Sequence, residues 1–189
     1  TFDGWTELSQ LRTGMRIAVP RRLPEPLHTT PLARHEAAVL GLHGKRATEK
    51  HVPDMIFSAD NPSIALFLGT LWQGDGAISV ENSQAFYTTS SRRLADDVQH
   101  LLLRFGVLST LHTKSFRYRG GRKQGWTIVV TGRENLVPFA KDIGMHLIGK
   151  KRTDLQTLIQ KCTMRTNNRG RGTVDTIPAA ILSLVRYEM

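Results

Sequence analysis

The sequence predicts an α+β fold, an αββαββα module between about residue 63 and residue 144 with appendages on both sides. Three observations predict it. An apolar run, Ile64 to Gln73, leads straight into Gly74-Asp75-Gly76. Two pairs of short stretches alternate apolar and polar residues. Between them, Leu94, Val98, Leu101, Leu102 and Phe105 recur at helical spacing.

The first helix has Ser63 as its N-cap after Pro62 and stops at the glycines. Ala77 to Val80 and Gln84 to Thr89 flank the turn residues Glu81-Asn82-Ser83 and read as a hairpin. The amphipathic helix is capped by Ser90 or Ser91 before and Gly106 after. A second strand pair, Val107 to Tyr118 and Trp126 to Thr131, is joined by the glycine-rich, basic stretch Arg119 to Gly125. The last helix, Asn135 to Ile143, has Pro138 in its first turn, where a missing amide hydrogen costs least, and ends at Gly144. Alternation turns Ala85, Tyr87, Leu111, Trp126, Ile128 and Val130 toward the helices. It turns Gln84, Phe86, Thr88, Thr110, His112, Lys114, Thr127, Val129 and Thr131 away.

Twenty-six Lys and Arg against sixteen Asp and Glu give a net charge of +10, which favours a polyanionic partner through phosphate neutralisation and counterion release. Forty per cent hydrophobic residues suffice for a sizeable core in 189 residues. No apolar run is long enough to span a bilayer and no signal peptide is visible, so no membrane partner is expected. The lone Cys162 permits no internal disulfide and no cysteine zinc cluster, which points to the reducing cytoplasm. His35, His43 and His51 are evenly spaced but match no zinc pattern.

An apolar helix ending in one acid between two glycines suits metal-dependent chemistry. Glycines let backbone carbonyls and a phosphodiester approach the carboxylate, whereas the plain alternative is a helix C-cap and turn. Leu66-Phe67-Leu68-Gly69-Thr70-Leu71-Trp72-Gln73-Gly74-Asp75-Gly76 resembles the dodecapeptide of the LAGLIDADG homing endonucleases. Lys50-His51-Val52-Pro53 resembles the Lys-x-Ile-Pro element that precedes the second dodecapeptide in intein-borne members, and Ser90 to Val107 resembles the amphipathic helix after the first hairpin. Asp3 to Arg22 looks like the intein segment that follows the splicing domain's Thr-x-x-His block, closest to inteins of bacterial DnaB-type replicative helicases.

The resemblance implies Asp75 and the Gly74 carbonyl as ligands of Mg²⁺, Lys50 as a cation for developing negative charge, and Gln73 as a residue that positions water or DNA. It also implies double-stranded DNA as partner, lying along the outward sheet face. Gln84, Phe86, Thr88, Thr110, His112, Lys114, Thr127, Val129 and Thr131 would then contact it, with Phe86 and Val129 against thymine methyl groups. Arg122 and Lys123 of the basic loop, and farther on the run Lys150-Lys151-Arg152 and the loop residues Lys161, Arg165, Asn167, Asn168, Arg169 and Arg171, would hold phosphates. The alternatives are an ordinary solvated sheet face and a solvated basic loop.

The chain departs from the family in three ways. The upstream dodecapeptide, expected between Pro31 and Lys50, is missing: Leu32 to Leu40 begins as that helix would, but Gly41-Leu42-His43-Gly44-Lys45-Arg46 follows without a Gly-Asp-Gly end. Thr70 stands where the family prefers glycine at the helix crossing. Neither Thr1 nor Arg186-Tyr187-Glu188-Met189 supplies the residues that splicing requires. Four segments are therefore expected. Residues 1–30 are a remnant of the splicing (Hint) domain, 31–62 a truncated first endonuclease half, 63–149 the LAGLIDADG module, and 150–189 a basic connector in which Val174 to Pro178 leads back toward splicing. A second LAGLIDADG half would come from the same chain or from a dimer partner. The expected function is an intein's site-specific endonuclease region directed at the inteinless host gene. The alternatives are a non-cleaving DNA-binding module and a structural insert.

Overall fold

The computed structural model describes residues 22–29, 31, 46–118 and 120–164. The residues read as a truncated companion helix, the splicing-domain segment up to Arg21, Arg165, Asn167, Asn168, Arg169, Arg171 and the Val174 to Pro178 connector lie outside them. The described chain is α+β. Elements follow in order as α1 (Asp54–Phe57), α2 (Asn61–Asp75), β1 (Gly76–Ser79), β2 (Gln84–Thr89), α3 (Arg92–Leu102), β3 (Thr110–Tyr118), β4 (Gly121–Thr131), α4 (Arg133–Pro138) and α5 (Gly149–Met164). The strands form one antiparallel sheet in the order β1-β2-β4-β3, so the two hairpins meet where β2 pairs with β4.

Helix α2 is longer at both ends than its apolar run suggests. Its cap is Asp60, whose carboxylate accepts from the Ser63 amide at 2.9 Å, so Ser63 falls inside the first turn instead of capping it. At the other end the helix continues through Gly74 and Asp75, and β1 starts at once. Ile64, Leu68, Leu71 and Trp72 bury one face against the sheet and α4 region. Gly69 packs where any side chain would collide, since a Cβ there would stand 2.5 Å from that of His146.

Ser91, not Ser90, caps α3, its Oγ accepting from the Leu94 amide at 3.2 Å. Leu94, Val98, Leu101, Leu102 and Phe105 are all buried. The helix closes through Gly106 in the left-handed region (φ 70°), and the Val107 amide donates to the Leu102 carbonyl at 3.1 Å. That bond keeps Val107 in the helix cap, and β3 starts only at Thr110.

The basic stretch from Arg119 to Gly125 is mostly strand, not loop. Arg122, Lys123, Gln124 and Gly125 pair with Arg117, Phe116, Ser115 and Lys114, and Gly120 (φ 81°) permits a tight turn. β3 and β4 thus continue as a two-stranded ribbon beyond Thr89, where β2 ends. Pro138 also sits deeper than its first-turn reading. α4 starts at Arg133, so Pro138 is its last residue and the chain relaxes into a π-helical turn, Phe139–Ile143.

The stretch after residue 150, expected as connector, begins as α5. Leu155 and Leu158 are buried, and two lysines bracket β1: Lys151 bonds the end of α2, and Lys161 donates to the Val80 carbonyl at 2.7 Å and to that of Glu81 at 3.2 Å. Among the described residues no helix is long and apolar enough to cross a membrane.

Candidate functional site

The C-terminal end of α2 is where the acid expected to carry chemistry emerges. Asp75 and Gly74 are exposed, and a Cβ on Gly74 would meet nothing within 4 Å, so the approach to both is open. Beneath them lies an aromatic floor. The Trp72 ring is centred 5.4 Å from that of Tyr87 and 5.1 Å from that of Phe139. Gly76 is a true steric requirement here, because a Cβ would come within 2.6 Å of the Trp72 ring. Burial, with the Asp75 charge adding to it, pushes the Tyr87 phenol well above the ordinary tyrosine range. The indole N–H of Trp72 is buried without a partner.

A helix C-terminus leaves its last carbonyls without donors. Here one ammonium takes three of them: Lys151 Nζ lies 3.0 Å from the Trp72 oxygen, 2.8 Å from that of Gln73 and 3.2 Å from that of Gly74. Gln73 turns its side-chain oxygen to the Ile148 amide at 3.0 Å, which fastens the start of α5 to the same end. That contact commits the Gln73 side-chain carbonyl to structure. Lys151 was grouped in the sequence with its basic neighbours. The signal that could have singled it out is Leu155, Leu158, Ile159 and Cys162, an apolar stripe at helical spacing that makes residues 149–164 a packed helix.

Lys50 reaches the same end of the sheet by another route. Its carbonyl accepts from the Ser91 hydroxyl, the Val52 amide donates to Asp97 Oδ2 at 3.0 Å, and Val52 and Ile56 are fully buried. The Lys50 to Pro53 element is therefore seated on the start of α3. Ser91 follows β2, whose Tyr87 pairs with Gly76 beside Asp75.

The sheet register sorts the remaining residues by face. On the outward face, Phe86, Val129 and Thr110 form one row, Thr88, Thr127 and His112 a second, and Gln84 with Thr131 a third. Thr88, Thr110, His112, Lys114 and Thr131 are exposed; Gln84 and Phe86 are half-buried. Thr127 and Val129 have only 3% and 9% of their surface exposed. Both belong to β4, one of the two interior strands, where side chains of the same face on β2 and β3 flank them, and Thr127 shares a hydrogen bond with Thr88 at 3.1 Å. They offer little surface for base contact. Along the ribbon the alternation puts Lys123 with Lys114 and Phe116 on the outward side and Arg122 with Arg117 on the other, so the two basic residues expected together on a loop are separated by the strand they belong to. Phe116 is 39% exposed between those lysines; it falls within the expected strand Val107 to Tyr118, one alternation beyond Lys114, where the outward residues named from the sequence stop.

No group of three or more His, Cys, Asp or Glu side chains clusters among the described residues. A cation at Asp75 would draw on one carboxylate and backbone oxygens. That donor set suits a hard divalent ion that keeps several waters or phosphate oxygens, and the convergence of α2 carbonyls on an ammonium marks the spot as cation-seeking.

Residues 62–144 match the LAGLIDADG-like domain family. The chain is similar to the replicative DNA helicase DnaB of Rhodothermus marinus, 38% identical over 156 residues that cover 79% of this chain and 16% of the relative. It is similar to a DNA gyrase subunit from Mycobacterium gordonae, 34% identical over 62% of this chain and 20% of the relative. It is also similar to RecA of Mycobacterium tuberculosis, 32% identical over 74% of this chain and 19% of the relative. The chain thus spans a fifth or less of the length of each of these relatives. Three proteins of different kinds share one such segment, the pattern of an insert common to otherwise distinct hosts. Through residues 62–144 the chain belongs to the LAGLIDADG family, of the kind that inteins encode as homing endonucleases.

Proposed function

We propose that this chain is the endonuclease region of an intein that cuts double-stranded DNA at the inteinless copy of its host gene by metal-assisted phosphodiester hydrolysis. The observation that carries the reading is the exposed Asp75 carboxylate beside the Gly74 carbonyl, at the end of a buried helix that leads into a sheet with a polar, lysine-bearing outer face. In this reading Asp75 and Gly74 hold Mg²⁺, which when bound polarises the scissile phosphate and lowers the pKa of the attacking water. The chain's own residues do the rest. Thr88, Thr110 and His112 offer donors and acceptors to base edges, Lys114 and Lys123 neutralise phosphates, and Lys50 presents a compact cation to charge that develops at the phosphate. A second acid comes from another LAGLIDADG half, in the same chain or a dimer partner. Reducing cytoplasm is the compartment this chemistry and the lone cysteine suit.

A non-cleaving DNA-binding module is the second reading. Two observations favour it: Thr70 on the half-exposed stripe of α2, bonded to the Leu66 carbonyl at 2.9 Å, and an ammonium already on the Gly74 carbonyl. A nicking assay with Mg²⁺ on the uninterrupted host junction, run beside a binding assay, separates the two. Cleavage supports the endonuclease, and salt-sensitive binding without cleavage supports the module. With roughly six phosphate contacts, affinity should fall by about three orders of magnitude between low and moderate salt. Absence of both activities overturns both readings.

A further inference from the structure

The lysine on the end of α2 is placed to do more than finish a helix. Its ammonium bridges Trp72, Gln73 and Gly74, and the longest of the three contacts, 3.2 Å, is to the oxygen that the proposed metal site needs. Two of its bonds are short and would survive loss of the third. A divalent cation on Gly74 would stand close to this ammonium, and two cations on adjacent oxygens repel. The half-buried lysine cannot simply retreat, because Gln73 ties the α5 start to the same helix end and Leu155 and Leu158 anchor the helix behind it.

We propose that Lys151 is a positioning residue that competes with the divalent cation for the Gly74 carbonyl and so sets the metal affinity of the Asp75 site. The ammonium holds the carbonyl end of α2 in register when metal is scarce, and gives up Gly74 while keeping Trp72 and Gln73 when metal binds. The site then loads only above a threshold of free cation. This inference rests on the reading of Asp75 as a metal ligand.

The test is Mn²⁺ binding to the full chain in the presence of host-junction DNA, followed by electron paramagnetic resonance of free Mn²⁺, in wild type, K151Q, K151R and D75N. Gln keeps a donor for the carbonyls but removes the charge, so K151Q should bind Mn²⁺ about tenfold more tightly, while K151R should return to the wild-type affinity. A second readout does not depend on any variant folding: the Lys151 ammonium signal in wild-type protein, seen by ¹⁵N nuclear magnetic resonance, should shift on Mg²⁺ addition. Unchanged affinity in a folded K151Q, or an ammonium signal indifferent to Mg²⁺ that does bind through Asp75, overturns the proposal alone. Wild-type Mn²⁺ binding that D75N does not weaken overturns the reading of Asp75, and this proposal with it.

Discussion

The two ends of α2 are built to opposite specifications. At its start, Asp60 accepts from the Ser63 amide, and Glu25 from the upstream segment accepts from the Asn61 amide at 2.8 Å. Arg104, only 5% exposed, donates to the Asn61 side-chain oxygen at 2.9 Å, and Arg22 and Leu23 bond the carbonyls of Arg104 and Leu103. Carboxylates thus meet the positive pole of the helix, as its dipole favours. At its finish the sequence places another carboxylate, Asp75, at the negative pole, where charge of that sign costs on the order of 0.5 kcal/mol. Lys151 offsets part of this. The start of the helix is tied down from several sides, whereas the finish carries an exposed, unfavourable acid, which is the contrast between a structural end and a functional end that the proposed metal site implies.

The hardest blow to that contrast comes from Asp75→Asn. If the finish is functional, metal-dependent cleavage should fall by about three orders of magnitude, the several kcal/mol that a bound Lewis acid supplies, while urea unfolding shows stability unchanged or slightly raised. A variant that loses stability and keeps nicking would make the acid a structural turn residue after all.

At the start the expectation reverses. Arg104→Ala removes a buried side chain and strands the Asn61 oxygen, so it should cost about 3 kcal/mol in urea unfolding. Burial lowers the affinity of Arg104 for its proton and Glu25 partly restores it, so its charge is held by a real but solvent-facing partner. Asp60→Ala removes one cap and should cost about 1 kcal/mol. Neither change should alter Mn²⁺ affinity. If either weakens it as much as Asp75→Asn does, the ends are coupled and the contrast fails.

The structural end shows what a sequence hides. The helix itself was legible, because its apolar run is long, and so was α3, whose five core residues repeat at one period. The caps were less so. Ser63 and Asp60 both suit the role, and only the turn geometry around Pro62 decides between them. Glu25 and Arg104 join segments far apart in the chain, and no local pattern announces such a bond. The outward sheet face was legible as alternation, yet exposure depends on neighbouring strands, which is why Thr127 and Val129 share the face but not its accessibility. At the functional end, Asp75 stood out through its flanking glycines. Lys151 did not, since three bonds from one ammonium to backbone carbonyls depend on how α5 folds back, and residues 150–152 read equally well as a solvated basic run.

The smallest expected effect probes the functional end through its floor. Tyr87 is buried under Asp75, and both burial and that charge favour the protonated phenol. The folded protein therefore keeps its proton at a pH where the unfolded chain, with an ordinary tyrosine value of 10.0, releases it. Above that value the unfolded state binds fewer protons than the folded one, so stability declines as pH rises; below it the contribution is complete and flat. Tyr87→Phe should thus leave urea unfolding at neutral pH within about 1 kcal/mol of wild type, apart from any bond the hydroxyl makes, and flatten the decline above pH 10. Asp75→Asn should soften the same decline only in part, because burial is the larger cause. Asp60→Asn, at the far end of the helix, should leave its slope untouched. An alkaline decline that survives Tyr87→Phe at full slope would assign it to other groups and detach Tyr87 from the acid above it.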